Sequence, residues 1–179
     1  EILLCDDSGL GNHSEEMQNI SLICGRAKAF SNESNKGLGF TLRRLFKEAS
    51  GECVVYCDLD LPFGERVVSV LVEQLKDFDI VVASRYKSIR NEVRIMRKVF
   101  SRLYFVLCKI LFNISVIDIG SGSVAFKKSA INKLNFVCDG FVFHVELFVK
   151  AKREGLKVKE IAYKSFSSEG GSFSVVRHG

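Results

Sequence analysis

Two short apolar runs end in paired carboxylates, and this repeated event constrains the fold more than any other feature of the chain. Ile2-Leu3-Leu4-Cys5 runs into Asp6-Asp7-Ser8-Gly9, and Cys53-Val54-Val55-Tyr56-Cys57 runs into Asp58-Leu59-Asp60. Apolar runs of this length, bounded by turn residues, read as buried strands. Between them, Leu38, Leu42, Leu45, Phe46 and Ala49 recur at helical spacing, and Ser50-Gly51 closes that helix. The same reading predicts a short helix at 14–19, a strand at 21–24, a polar loop over 31–37, a helix at 65–76 and a strand at 79–83. Strands alternating with helices indicate an α/β domain with a mostly parallel sheet. Such sheets bind ligands beyond the carboxyl ends of their strands, so two acidic clusters at strand ends mark a candidate site.

Composition narrows the classes. With 179 residues, 47% hydrophobic and a net charge of +5, the chain suits one domain with a real core and does not suit a disordered segment. No uninterrupted apolar run reaches the roughly 18 residues that a spanning helix needs. The first five residues already read as a strand, with no secretory leader, so the chain is expected to begin within a fold. The six cysteines contain no C-x-x-C pair, and the three histidines have no zinc-ligand spacing. They read as reduced, buried cysteines of a cytosolic protein.

The second half changes character. From Arg85 to Arg102 stand Arg85, Lys87, Arg90, Arg94, Arg97, Lys98 and Arg102 against one anion, Glu92. On a helical projection all but Arg85 fall within an arc of about 140°. Val93, Met96, Val99, Phe100, Leu103 and Leu107 take the other side, and the run becomes almost wholly apolar to Ile114. A solvated face and a nucleic-acid surface are both compatible with the charge. The flanking apolar run favours a helix lying on an anionic membrane surface, and no nucleic-acid partner is expected. Asp118-Ile119-Gly120-Ser121-Gly122 then turns into a strand at 124–126, a helix follows at 141–154 and a last strand at 157–163. The tail around Gly170-Gly171 reads as flexible.

Asp58 and Asp60, two residues apart at a strand end, can both reach a hard divalent cation if the backbone leaves the strand there. Mg²⁺ is typically held by one or two carboxylates plus substrate phosphates, which suits a nucleotide diphosphate. A solvated strand-end turn is the plainer alternative. Asp6-Asp7 at the other strand end could accept hydrogen bonds from a base or a ribose, or simply make an Asp-rich turn. Glu146 has Lys150 at i+4 as a structural partner. Asp118 could merely cap its glycine-rich turn, Arg97 and Ser101 could be plain helix surface, and His13, His144 and His178 carry no evident chemistry.

Taken in order, Cys5-Asp6-Asp7-Ser8-Gly9, Asn35-Lys36-Gly37-Leu38-Gly39, Ser50-Gly51-Glu52, Asp58-Leu59-Asp60-Leu61 and Ala83-Ser84-Arg85-Tyr86 form a recognisable series. It continues through Arg97 and Ser101, Asp118 with Ser121-Gly122, Phe143 with Glu146-Leu147, and Glu160-Ile161. Together they resemble the family 2 GT-A glycosyltransferases, most closely the dolichyl-phosphate mannose synthase-like branch, over nearly the whole chain. The resemblance implies a Rossmann-like GT-A sheet with flanking helices. It also implies inverting transfer of a hexose such as mannose or glucose from a nucleotide sugar to a polyprenyl or dolichyl phosphate. Other acceptors within the family, such as a lipid or a polysaccharide, and a degenerate non-catalytic nucleotide-sugar-binding module stand beside that reading.

By the same resemblance, Asp6, Asp7, Lys36 and Gly37 would bind the nucleotide, and Asp58 and Asp60 would hold Mg²⁺ or Mn²⁺. Asp58, Asp60 and Arg85 would form the catalytic group, while Arg97, Ser101, Asp118 and Glu146 would serve the acceptor and its phosphate. A phosphate acceptor is already ionised at neutral pH, so a dedicated general base is dispensable. The expected setting is peripheral, on the cytoplasmic face of an anionic membrane. The domain is expected to fill 1–179, with the membrane-facing segment at about 90–114.

Several positions depart from the family pattern. Pro62 stands where a further metal-binding Gln is usual, Val124 replaces a cation, His144 replaces an acidic residue and Ala162 replaces a proline. The family's first strand is absent from the sequence. In the resembled fold that strand lies between those ending at Asp6 and Asp58. The two flanking strands are therefore expected either to close up and pair or to leave the sheet open.

Overall fold

The computed structural model describes residues 1–9, 19, 20, 22–86 and 95–165, with the side chains of 95–98 and 101 left aside. The expected helix at 14–19 and the flexible tail lie largely or wholly outside these residues. Six strands and five helices are described: β1 (Ile2–Asp6), β2 (Ala27–Ser31), α1 (Leu38–Glu48), β3 (Cys53–Cys57), α2 (Val67–Gln74), β4 (Ile80–Ser84), α3 (Ile95–Phe112), β5 (Ser123–Lys127), α4 (Lys128–Ile131), α5 (Phe143–Arg153) and β6 (Val158–Ala162).

Four strands form one sheet in the order β3-β5-β4-β6. β5 runs antiparallel to both its neighbours, whereas β4 and β6 are parallel, with Ile80 opposite Val158. The α/β expectation therefore holds with a sheet more mixed than foreseen. The sheet is covered on both faces, and strand alternation divides the core accordingly. Ile80, Val82, Val124 and Phe126 face Leu42 and Phe46 of α1 and Leu147 and Phe148 of α5. Val81, Ala83 and Ala125 face the other way, onto Phe63 and onto Val67 and Leu71 of α2. Every residue of β4 is buried, which explains its unbroken Ile-Val-Val-Ala sequence.

The strand expected at 21–24 is corrected by the structure. Leu22 and Ile23 lie in a helical turn, 82% and 87% exposed, and the strand begins at Ala27. β2 pairs with β1 in parallel, Ile2 opposite Ala27 and Asp6 opposite Ser31. This pair forms a separate two-stranded sheet.

β1 and β3 do not pair. Of the two expected outcomes at this point, the structure takes the open one. A groove of about 290 Å³ lies between the strands, lined by Glu1 and Leu3, by Cys53–Cys57, and by Leu42, Leu45, Phe46 and Ala49 of α1. α1 bridges the two sheets: Asp7 at the end of β1 binds its leading loop, and Glu1 at the start of β1 accepts hydrogen bonds from the Ser50 amide and hydroxyl just past its end.

All six cysteines are free thiols, as expected, but only Cys108 is buried and Cys53 is exposed. α3 leaves Val99, Phe100, Leu103, Tyr104, Leu107 and Ile110 exposed. No helix among the described residues is long and apolar enough to cross a membrane.

Candidate active site

The two acidic clusters sit at the carboxyl ends of β1 and β3, and each is held by its own surroundings. Asp7 is the anchor of the first. Its Oδ1 accepts from Asn32 Nδ2 at 2.7 Å and from the Lys36 amide at 2.9 Å, and its Oδ2 accepts from the Gly37 amide at 2.8 Å. Asn32 is buried and also bonds Thr41 Oγ1 at 3.0 Å, which locks the loop to α1. Gly37 has φ of 89°, and a Cβ there would stand 2.6 Å from the Asp139 carbonyl oxygen. Only glycine fits this left-handed, crowded position. Asp6 turns aside and accepts from the Ser8 amide at 2.8 Å. The structure thus brings Asp7, Lys36 and Gly37 together, with the Lys36 side chain exposed.

At the second cluster the chain leaves β3 in a tight turn. The Asp58 carbonyl accepts from the Leu61 amide at 2.9 Å, and Leu61 adopts φ of 42°, uncommon for a residue with a branched side chain. Asp58 and Asp60 therefore project from a turn rather than along a strand. The Asp58 amide donates to the Gly122 carbonyl at 2.8 Å, which ties the turn to the chain entering β5. A Cβ on Gly122 would lie 2.3 Å from Asp58 Oδ2, so the glycine makes the space this carboxylate occupies. Tyr56 donates its hydroxyl to Asp58 Oδ1. Burial first, then the charge of Asp58, push the Tyr56 hydroxyl's pKa far up and keep it a donor.

Arg85, at the end of β4, is fixed by Asp118. Its Nε and Nη2 donate to the two Asp118 oxygens at 3.0 and 2.7 Å, and Nη2 also reaches the Gly120 carbonyl at 2.8 Å. Burial works against the guanidinium's charge, but Asp118 outweighs it and holds the Arg85 pKa above the ordinary value. Asp118 is only 1% exposed, and its amide donates to Glu160 Oε1 at 2.8 Å. The structure thus places the Asp118 carboxylate, expected to serve the acceptor, on Arg85, where it aims the guanidinium.

Glu146 is likewise held by partners within the fold. It is buried, and its two oxygens accept from the Val137 and Cys138 amides at 2.8 and 2.9 Å, with Lys150 Nζ at 2.7 Å from Oε1. Burial opposes its charge, but Lys150 and the two amides hold its pKa below the ordinary carboxylate value. Glu146 thereby pins the loop whose Asp139 carbonyl receives the Gly39 amide at 2.6 Å, so it supports the Asp7 cluster from behind. Arg97 and Ser101 lie on α3, but their side chains fall outside the described residues.

Sequence reasoning missed Tyr56 and Asn32, quoted Glu160 only within the family series, and gave His144 no chemistry. Tyr56 shares the parity of Asp58 on β3, a signal available in the sequence. His144 is 5% exposed on α5, its ring centroid 6.2 Å from that of Tyr56. Its Nε2 and Ser84 Oγ are buried without a partner among the described residues.

No group of three or more His, Cys, Asp or Glu that could enclose a metal exists among the described residues. Asp58 and Asp60 still suit a hard divalent cation that takes its remaining ligands from a bound diphosphate. The carboxylates offer only oxygen, and the turn with the Gly122 cradle gives Asp58 room.

The sequence model for glycosyl transferase family 2 matches residues 1–134. The chain belongs to this family. It is 29% identical over 169 residues to a dolichol-phosphate mannosyltransferase of Pyrococcus furiosus, covering 91% of this chain and 47% of that protein. It is 28% identical over 165 residues to the glycosyltransferase AglD of Haloferax volcanii, covering 89% of this chain and 26% of that protein. The chain thus spans half or less of the length of these curated relatives.

Among solved structures, glucosyl-3-phosphoglycerate synthase of Mycobacterium tuberculosis, in complex with Mn²⁺, uridine diphosphate and glucosyl-3-phosphoglycerate, superposes with a TM-score of 0.68 at 20% identity. That match covers 96% of this chain and 62% of the other. The same synthase bound to phosphoglyceric acid gives a TM-score of 0.69 at 19% identity, over 94% of this chain and 61% of that one. These likenesses establish the GT-A glycosyltransferase fold for this family 2 chain.

Proposed function

We propose that this family 2 domain, filling residues 1–179, transfers a hexose from a nucleotide sugar to a polyprenyl phosphate, with inversion, at the cytoplasmic face of a membrane. The observation that carries the reading is the placement of Asp58 and Asp60 on one turn, tied through the chain at Gly120–Gly122 to an Arg85 already aimed by Asp118. Asp58 and Asp60 would hold Mg²⁺ or Mn²⁺ together with the donor diphosphate. A cation there neutralises charge as it builds on the leaving diphosphate.

The chain's own residues supply the rest. Arg85 presents a fixed, permanently charged donor at the strand ends and needs no reorganisation when charge develops. Asp7 shapes the loop carrying Lys36 and Gly37, and with three hydrogen bonds received its Oδ2 retains acceptor capacity for a ribose or a base. A phosphate acceptor arrives ionised, so no residue has to remove its proton.

The exposed apolar side chains of α3 support a lipid acceptor. A contiguous apolar surface of this kind, flanked by Arg102 and Lys109 and by the basic sequence before it, suits an amphipathic helix at a lipid interface. The named activity of the Pyrococcus furiosus relative, a dolichol-phosphate mannosyltransferase, points the same way. Transfer assays with GDP-mannose and UDP-glucose as donors and polyprenyl phosphate as acceptor, with and without Mn²⁺, test the proposal. Cation-dependent sugar-lipid product, lost in Asp60→Asn, is expected. Transfer only to a soluble phosphorylated acceptor, or transfer independent of the cation, would overturn it.

A further inference from the structure

Asp118 aims Arg85, and Asp118 needs a support of its own. It stands in the connection between α3 and β5, where no helix or strand ladder fixes the backbone. Its carboxylate nevertheless takes three bonds from Arg85: the backbone amide at 2.9 Å, Nε at 3.0 Å and Nη2 at 2.7 Å. Glu160 supplies the support. It lies on β6 opposite Val82 and is buried, with 8% of its surface exposed. Its Oε2 accepts from the Ile117 amide at 3.1 Å and its Oε1 from the Asp118 amide at 2.8 Å. Both oxygens are thus turned on two consecutive amides of the segment that carries Asp118. A buried carboxylate is costly unless it is hydrogen-bonded, and a two-oxygen grip fixes direction as well as distance. The far end of the same turn is held separately. Ser121 Oγ donates to the Ala83 carbonyl at 2.6 Å, and the Gly122 carbonyl receives the Asp58 amide at 2.8 Å.

We propose that Glu160 is a positioning residue for sugar transfer. It sets the backbone at residues 117–118 so that Asp118 presents Arg85 to the leaving diphosphate, and it acts through Asp118, not on the substrate. A fixed guanidinium stabilises developing charge without reorganising, and that advantage falls when the Asp118 backbone is free to turn. The inference rests on the reading of Arg85 as the fixed charge at the donor diphosphate.

Two variants grade the loss. Glu160→Gln keeps one accepting oxygen, and Glu160→Met fills the same space without a strong acceptor. The first readout is the Arg85 Nε–H resonance of the 179-residue chain, identified by its loss in Arg85→Lys. Its exchange with water should be slow in the unmodified chain, where Nε donates to buried Asp118. Exchange should quicken by about three- to tenfold in Glu160→Gln, the worth of one hydrogen bond, and further in Glu160→Met. The Asp58 amide, at the separately held end of the turn, should exchange as before. The second readout is turnover of GDP-mannose and UDP-glucose. Glu160→Gln should lower kcat more than it raises KM, and the loss should shrink in the Arg85→Lys background. Unchanged Arg85 Nε–H exchange in both variants would overturn the proposal. So would an Asp58 amide that quickens in step, or a turnover loss of equal size in both backgrounds. If Glu160→Met does not fold, Glu160→Gln carries the comparison alone. Turnover unchanged in Arg85→Lys itself would instead overturn the reading of Arg85 at the diphosphate.

Discussion

The Arg85 guanidinium clasps Asp118 through two nitrogens, at 3.0 and 2.7 Å, with the carboxylate 1% exposed and the arginine side chain 13% exposed. A buried pair like this contributes little net stability when complete, yet losing one member leaves a desolvated charge behind. Asp118→Asn should therefore destabilise the domain by about 3–5 kcal/mol, measured by urea unfolding. Arg85→Lys keeps the charge but not the fork, and should also lose stability. A stability unchanged in Asp118→Asn would show that Arg85 is not held by this pair.

Gly122 gives a cleaner separation of site from fold. Its missing Cβ would meet Asp58 Oδ2 at 2.3 Å and Pro62 Cγ at 2.9 Å, both at the ends of side chains. Gly122→Ala should displace the carboxylate more than the backbone. The expected result is Mn²⁺ affinity reduced severalfold or more with a small change in melting temperature. A large loss of stability with affinity intact would contradict this placement.

Glu146 predicts a pH dependence. Its folded pKa lies below the ordinary 4.5 because Lys150 and two amides favour the carboxylate over the opposing effect of burial. A depressed carboxylate contributes stability that is present above its unfolded pKa and lost as pH falls through the folded one. Glu146→Gln should thus melt lower than the unmodified chain near pH 7, and the gap should narrow at an acid pH below the ordinary 4.5, as the pH falls through the lower folded value. Melting curves at the two pH values check this, and a gap that widens in acid would refute the assignment.

The apolar face of α3 should bind lipid. Vesicles containing anionic lipid should retain the chain at low salt and release it as salt rises, since each Lys or Arg near the surface contributes about 1 kcal/mol of screenable attraction. Leu107→Glu and Ile110→Glu, on exposed positions, should weaken retention without unfolding the domain. Sedimentation with vesicles provides the measure. Equal binding to neutral vesicles would remove the basic residues from the account.

Much of the fold was legible because burial and periodicity coincide. α1 follows the spacing of Leu38, Leu42, Leu45 and Phe46, and β3 and β4 are unbroken apolar runs. β2 was missed because Ala27-Lys28-Ala29-Phe30-Ser31 is a weakly apolar strand, while the stronger run Leu22-Ile23-Cys24 sits exposed in a turn. The antiparallel course of β5 leaves no mark on its own sequence, since pairing direction is decided between strands. In the site, Asp58, Asp60 and Arg85 announce themselves by position at strand ends. The work of Asp118 is invisible locally because its partner stands 33 residues away. Lys150 at i+4 from Glu146 was legible, whereas the Val137 and Cys138 amides were not. The pairing of Tyr56 with His144 needs α5 to pack over β3, which only the assembled core provides.

The open seam between β1 and β3 carries the last prediction. Each strand is paired on one side only, β1 with β2 and β3 with β5, and the groove between them is floored by α1. Backbone amides pointing into that groove have no strand to bond, whereas β4 and β5 are paired along both edges and fully or nearly fully buried. Hydrogen exchange should therefore be fast at the groove-facing amides of residues 2–6 and 53–57 and slow throughout β4 and β5. Two unpaired edges facing one another also template pairing with another chain, so the domain should self-associate as its concentration rises. Asp58 and Asp7 lie at the ends of these two strands, so any strand that seats in the groove would fix their relative placement. A peptide or fused segment that protects the seam in exchange should tighten nucleotide-sugar binding in the same experiment. Protection of residues 53–57 equal to that of β4 in the isolated chain, with no concentration dependence, would show that β1 and β3 close up in solution.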